Sequence, residues 1–343
     1  MRIERHALAR LLTSVTKAVP GRNTIPILAT VRLVGKDGKL TVTGTDLDIE
    51  IAGSIPADGE LATCVDAKLF AAAIGKIAGT EVELAIEDNV LVVKSGRSRY
   101  KLATLPVCDF PTMNYGDFAV EFEADMASMF APVAYAMSDE ATRYYLCGAY
   151  LEPKAVTATN GHKLSTVAHE LPDFAPVIVP SATVALAPKG SAKVRLSGTK
   201  IQFVTDDFTL TSKLIDGTYP DYERVIPRNL ANIVVVDSAA LKSAADRVAI
   251  VATDRTPSVR LDLTSEEVTV SSRGDSEATD VVPCVYDGPA QAVGFNAHYL
   301  VEVLGSLPAG PVKMAVGDCM GPVVFTSDAA PQQRVVCMPQ RVV

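Results

Sequence analysis

No apolar run in the 343-residue chain approaches the roughly 18 residues that a membrane span requires. The opening segment, MRIERHALAR, is charged and lacks the apolar centre of a signal peptide, so a cytoplasmic protein is expected. Cysteine is sparse and scattered. Cys64, Cys108, Cys147, Cys284, Cys319 and Cys337 form no CxxC pair and have no histidine nearby. That spacing argues against a zinc site or a disulfide framework and predicts buried, inert thiols in a reducing compartment. A GxxxxGK phosphate loop is also missing. His162, Asp216 and Asp221 are a conceivable acid–base set, but nothing in the sequence brings them to a nucleophile or a metal. A carboxylate-based hydrolase is therefore the weakest reading, and no catalytic residue, metal or cofactor is expected.

Positive charge is in deficit too, with a net charge of −8 that ordinarily counts against a nucleic-acid partner. Its distribution is uneven. Residues 1–24 carry Arg2, Arg5, Arg10, Lys17 and Arg22 against Glu4 alone, a net +4, so an acidic body carries a basic segment. Such a chain can meet phosphate on one surface and stay soluble elsewhere. The hydrophobic content of 48% and the length suit two or three folded domains.

What the chain does have is a repeat. LTVTGTDLDIEI (40–51) is followed 114 residues later by KAVTATNGHKLS (154–165), and at a similar interval by EVTVSSRGDSEA (267–278). Each copy is a β-branched run, a polar turn and a second alternating segment, the pattern of a hairpin. Strand–helix openings recur in step. Ile3 precedes Leu8, Leu11, Leu12, Val15 and Val19; VEF precedes Met126, Met129, Phe130, Val133 and Met137; VVV precedes Leu241, Ala244, Ala245 and Val248. A second helix is predicted over 65–77 and over 295–307, with a reduced one over 179–190, where Pro188 intervenes. Paired strands close each set. The expected organisation is three α+β domains, 1–118, 119–231 and 232–343, each with two helices and antiparallel sheets. Three such domains end to end leave one strand edge free at each end, and a second molecule arranged head to tail would pair both.

Several stretches carry a family resemblance: TIPIL (24–28), TGTDLDIE (43–50), SGRSRYKLATLP (95–106), RYYL (143–146), ATNGHKL (158–164), SKLIDGTYPDYERVIP (212–227), VGFNAHYLVEVL (293–304) and VVCMPQR (335–341). Spread in order over the whole chain, they make it resemble the bacterial sliding clamps, the β subunits of DNA polymerase III. The resemblance implies three processivity-fold domains per subunit, closed as a head-to-tail ring homodimer around duplex DNA, with no enzymatic activity. It further implies a clamp loader, the polymerase III catalytic subunit and other proteins with short clamp-binding motifs as partners. A diverged or accessory clamp with an altered partner set is the alternative within the same fold.

The resemblance also implies site residues. A peptide pocket would be walled by Arg143, Tyr145, Leu146, Thr159, Gly161, His162, Lys163, Leu164, Pro220, Arg224 and Val225. Asn296, Tyr299, Met320, Pro322, Val336, Met338, Pro339, Gln340 and Arg341 would complete it. Without the resemblance, Leu146, Leu164 and Val225 read as plain core. The family's Asp-Gly-His-Arg stands here as Asn160-Gly161-His162-Lys163, which keeps the charge but loses the planar fork. Met320 and Pro322 are further departures from the family pattern. DNA contacts, to phosphate and independent of sequence, would fall to Arg10, Lys17, Arg22, Lys68, Lys76, Arg143, Tyr144, Lys242 and Arg247. The subunit interface would use the strand KSGRSRYKL, with Tyr100 and Leu102 against Ile250 and Val251 of the next subunit, and Arg97 and Arg99 facing Glu277 and Asp280.

Overall fold

A computed structural model describes residues 1–21, 24–228, 230–252, 257–318 and 320–341. One order of elements occurs three times: strand, helix, four strands, helix, three strands. The first set is β1 (Arg2–Glu4), α1 (Arg5–Val15), β2 (Thr30–Lys36), β3 (Lys39–Thr45), β4 (Ile49–Pro56), β5 (Leu61–Asp66), α2 (Ala67–Lys76), β6 (Glu81–Glu87), β7 (Val90–Ser95) and β8 (Ser98–Leu105). The second is β9 (Val120–Ala124), α3 (Met126–Ala134), β10 (Gly148–Leu151), β11 (Ala155–Thr159), β12 (Lys163–Ala168), β13 (Val177–Pro180), α4 (Ser181–Leu186), β14 (Ala192–Leu196), β15 (Lys200–Val204) and β16 (Thr209–Lys213). The third is β17 (Asn232–Asp237), α5 (Ser238–Val248), β18 (Ser258–Leu263), β19 (Glu267–Arg273), β20 (Glu277–Tyr286), β21 (Gln291–Asn296), α6 (Ala297–Ser306), β22 (Pro311–Val316), β23 (Val323–Ser327) and β24 (Ala330–Cys337).

The strands form two antiparallel sheets in two compact units. In the first unit, residues 1–126 and 186–214, the order is β1-β6-β7-β8-β5-β2-β3-β4-β16-β15-β14-β9. In the second, residues 127–185 and 215–343, it is β13-β10-β11-β12-β24-β23-β22-β17-β20-β19-β18-β21. The second set of elements is thus divided between the two units, α3 to β13 falling mostly in the second and β14 to β16 in the first.

The helices start where a strand runs straight into a capping side chain. Asp66 Oδ1 accepts from Leu69 N at 2.8 Å, Asp237 Oδ1 from Ala240 N at 2.8 Å, and Asn296 Oδ1 from His298 N at 2.9 Å. Each such cap contributes about 1 kcal/mol. One face of each helix is then buried: Leu8, Leu11, Leu12 and Val15 in α1, and Leu241, Ala244, Ala245 and Val248 in α5. The helix after Met126 is shorter than its spacing predicts. Pro132 lies inside it, regular α-helix stops at Ala134, and Met137 sits in a turn whose amide bonds back to Ala134. A proline lacks the amide donor and crowds the preceding turn, which accounts for the early stop. Burial of the thiols also departs from expectation. Cys64 and Cys337 are buried, with burial pushing them up to about 11 and about 12, but Cys108 is exposed on a connecting turn.

In the first unit, α1 approaches β4 at Gly53. A Cβ there would lie 2.4 Å from Leu11 Cδ1 and 2.6 Å from the Asp207 carbonyl oxygen, so only glycine fits. We expect Gly53→Ala to lower stability by about 1–3 kcal/mol, read as a drop in the thermal midpoint by circular dichroism. An unchanged midpoint would refute this close packing.

Candidate functional site

The β11–β12 hairpin is built from local turn chemistry. Asn160 Oδ1 accepts from His162 N at 2.9 Å and Lys163 N at 3.0 Å, while Thr159 Oγ1 accepts from Gly161 N at 3.0 Å. Gly161 holds φ +88°, a left-handed conformation that favours glycine, and the Arg143 guanidinium lies close by, its Nη1 2.8 Å from where a Cβ would stand. The tip is then held from the chain's end, where Met338 N donates to His162 O at 2.8 Å.

Beside the hairpin lies a cavity of about 290 Å³. Of the residues expected in a pocket, it brings together Leu146, Thr159, Gly161, His162, Lys163, Leu164, Pro220, Val225, Val336 and Met338. Leu146 and Leu164 are at once core and lining, at 4% and 3% exposure, whereas Val225 stands at the rim, half exposed. Tyr222 and Asp221 also line the cavity, although the sequence did not single them out as lining. Tyr222 donates to Glu152 Oε2 at 2.7 Å, and burial together with that carboxylate pushes its hydroxyl up to about 12.

The other expected pocket residues do not line the cavity. Tyr299 is nearest in effect: its ring stacks on His162 at 5.7 Å. Arg143 pairs with Glu140 at 2.7 Å, Tyr145 packs with the Leu146–Ile178–Tyr219 cluster, and Asn296 caps α6. Arg224 is tied to Asp221 at 2.7 Å. Gln340 N bonds to Gly294 O at 2.8 Å, Met320 and Arg341 are exposed, and Pro322 and Pro339 are half-buried.

Lys163 is the most constrained cation among the described residues. It is buried to 5% exposure, bonded to Glu302, and its ammonium lies 5.3 Å from the ring centroids of both Tyr135 and Tyr299. The lysine departure is therefore matched by a partner on α6 that the sequence did not reveal. A lysine's flexible stem and compact ammonium suit such an enclosure.

The expected DNA-contact residues divide between the units. In the first, Arg10, Lys17, Lys68 and Lys76 are exposed on α1, the turn after it, and α2. Arg10 lies 3.5 Å from Asp207, and Lys68 Nζ donates to Gly21 O at 2.8 Å. Arg22 lies outside the described residues. In the second, Lys242 and Arg247 are exposed on α5, and Tyr144 is half exposed beside Arg143. Arg247 is not a bare phosphate-seeking cation, because Asp280 holds it at 2.6 Å.

The expected interface residues also take definite places. Arg97 sits in the β7–β8 turn and not on the strand, because Ser95 pairs with Ser98 across it. Arg99 is bonded to Glu87 at 2.6 Å, and Glu277 to Arg273 at 2.8 Å. Ile250 is 82% exposed. Tyr100 and Leu102 lie half-buried on β8, and Val251 is half-buried in the turn after α5.

Comparison with known proteins is consistent along the chain. Three family models match: the N-terminal domain of the DNA polymerase III beta subunit over residues 1–114, its central domain over 123–221, and its C-terminal domain over 223–341. The beta sliding clamp of Pseudomonas putida is 32% identical over 362 residues and that of Escherichia coli K12 is 30% identical over 361, each alignment covering 99% of both chains. Among solved structures, the Caulobacter crescentus pol III beta superposes with a TM-score of 0.95 at 32% identity and 99% coverage of both chains. The Pseudomonas aeruginosa DNA polymerase III subunit beta gives 0.94 at 30% identity, with full coverage of both.

The enclosure of Lys163 makes an asymmetric prediction. Glu302→Gln leaves a buried ammonium without its carboxylate and should cost about 1–3 kcal/mol. Lys163→Met leaves Glu302 half exposed to water and should cost less. Urea unfolding of both variants checks the order, and a reversed order would contradict it.

Proposed function

The chain belongs to the DNA polymerase III β subunit family and is a DNA sliding clamp, a processivity factor without enzymatic activity; on that premise we propose that two copies close head to tail around duplex DNA. The observation that carries this is a strand junction used twice within the chain and left open once. In the first unit β4 pairs with β16, Ile51 opposite Leu210; in the second β12 pairs with β24, Ser165 opposite Val335. These are the same rung. Leu210 and Val335 end the equivalent rows Val194–Phe203–Leu210 and Met314–Phe325–Val335, and the matching row in the first set is Leu84–Val93–Tyr100.

The remaining strands are β8 and β20. Over 98–103 β8 pairs only with β7, and over 277–283 β20 pairs only with β19, among the described residues. The rows Leu33–Val42–Gly53, Leu151–Val156–Val167 and Leu261–Val270–Asp280 make Ala278 the equivalent of Ile51 and Ser165. A third junction on the same rung sets Ala278 opposite Tyr100 of the partner subunit. The flanking pairs become Glu277 with Lys101 of the partner subunit and Thr279 with Arg99 of the partner subunit. Asp280 then faces α5, where Arg247 already binds it, and does not face Arg99. The exposed Ile250 and its neighbour Val251 supply apolar surface for Tyr100 and Leu102.

Encirclement accounts for the charge balance. A ring needs only weak, sequence-independent phosphate contact to stay on DNA, so Lys17, Lys68, Lys76 and Lys242, with Arg10, Arg22, Arg143, Tyr144 and Arg247, serve in a chain of net charge −8. The cavity beside His162 takes the apolar side chains of a short peptide from the polymerase III catalytic subunit, the clamp loader or other clamp-binding proteins, in the cytoplasm. Relatives' structures solved with griselimycin accord with a ligand site in this family.

The rung makes a testable pair. Lys101→Glu should weaken the dimer by about threefold to fivefold at low salt, and adding Glu277→Lys should restore it. Sedimentation equilibrium reads this, and failure of the double variant to recover would rule out the register.

A further inference from the structure

A second trough opens next to the peptide cavity. It measures about 650 Å³ and is lined by Thr166 and Arg334 of the β12–β24 pair, by Ile226, Pro227 and Arg228, and by Pro331. Tyr222 lines both the trough and the peptide cavity. The floors are continuous as well. Leu164 opposite Val336 belongs to the cavity, and Thr166 opposite Arg334, two residues further along the same strand pair, belongs to the trough.

Two residues of extended chain advance about 6.6–6.8 Å, the same step as one such rung to the next. A peptide anchored over Leu164 and Val336 therefore reaches Thr166 and Arg334 after two more residues. The chemistry of the trough is basic. Arg334 is exposed, Arg228 is 81% exposed, and the carboxylate among the lining residues, Glu223, lies 3.6 Å from Arg228.

We propose that this trough receives an acidic flank of the clamp-binding peptide, whose carboxylates meet Arg334 and Arg228 once the apolar anchors are seated. The inference rests on the peptide-cavity reading and adds a specificity element to it. Small residues at Ala155, Thr166, Ala168 and Thr326 leave the depth for side chains of a passing strand. Tyr222, held by Glu152, forms the sill between the two sites.

The test is fluorescence polarisation of the full chain with short labelled peptides bearing a Leu-Phe anchor pair. One set carries a flank of Asp and Glu, one a flank of Ser, and one the acidic flank with both anchors changed to Ala, each made with the flank on either side. The acidic flank should bind about fivefold more tightly than the serine flank at low salt. Arg334→Glu, and more mildly Arg334→Gln, should remove that advantage while the serine-flank peptide binds as before, which also reports an intact fold. An acidic advantage that survives both Arg334→Glu and Arg228→Glu, or one absent from the unaltered chain, would overturn the proposal. Equal binding of the anchorless peptide would overturn the cavity reading itself, a distinct result.

Discussion

Backbone hydrogen bonding along strand edges is the constraint on which the rest depends. An exposed edge is a row of unpaired donors and acceptors, and a chain must pair it, cover it or guard it with charge. Here the fourth strand of one set meets the last strand of another, and the junction forms twice in an identical register, β4 with β16 and β12 with β24. Because the rung is fixed by rows that run from the helix-facing core, a slip of one residue would turn Leu210 or Val335 out to solvent. The free sides of β8 and β20 inherit that register, so the core that stabilises each unit also dictates how a second copy would join.

The cavity beside His162 depends on the same device. Leu164 and Val336 face each other across the β12–β24 ladder, so the cavity floor exists only because the junction forms. Behind it, Lys163 and Glu302 join the hairpin to α6, and Gln333 donates toward Pro132 O and Ser306 O. Polar groups buried this way stabilise only when every partner is in place, which makes the cavity wall rigid and its geometry specific.

Local chemistry made much of this legible in the sequence. The Thr-Asp/Asn turn repeats because one geometry is reused: Asp46 Oδ1 accepts from Ile49 N as Asn160 Oδ1 does from Lys163 N, and Thr45 Oγ1 and Thr159 Oγ1 donate to the equivalent carbonyls. Helical spacing after a short strand placed α1, α2, α5 and α6. What stayed hidden was non-local or competed with the pattern. Glu302 lies 139 residues from Lys163, and no periodicity links them. Tyr222 lies in the stretch 212–227, and nothing in its spacing marks it as a residue that lines the cavity. Pro132 cut short a helix whose apolar spacing continued to Met137, and Arg97 fell in a turn because hairpin register, not parity, decides where a strand begins. Asp280 shares its strand with Glu277 but faces α5, which charge alone could not reveal.

Closure of a two-copy ring is the central claim, and solution mass measured by light scattering over a dilution series tests it most directly. A closed ring should appear as a stable species at twice the 36.3 kDa chain mass, dissociating only at high dilution. A monomer at every concentration would contradict it, leaving the strands β8 and β20 open and encirclement without a basis.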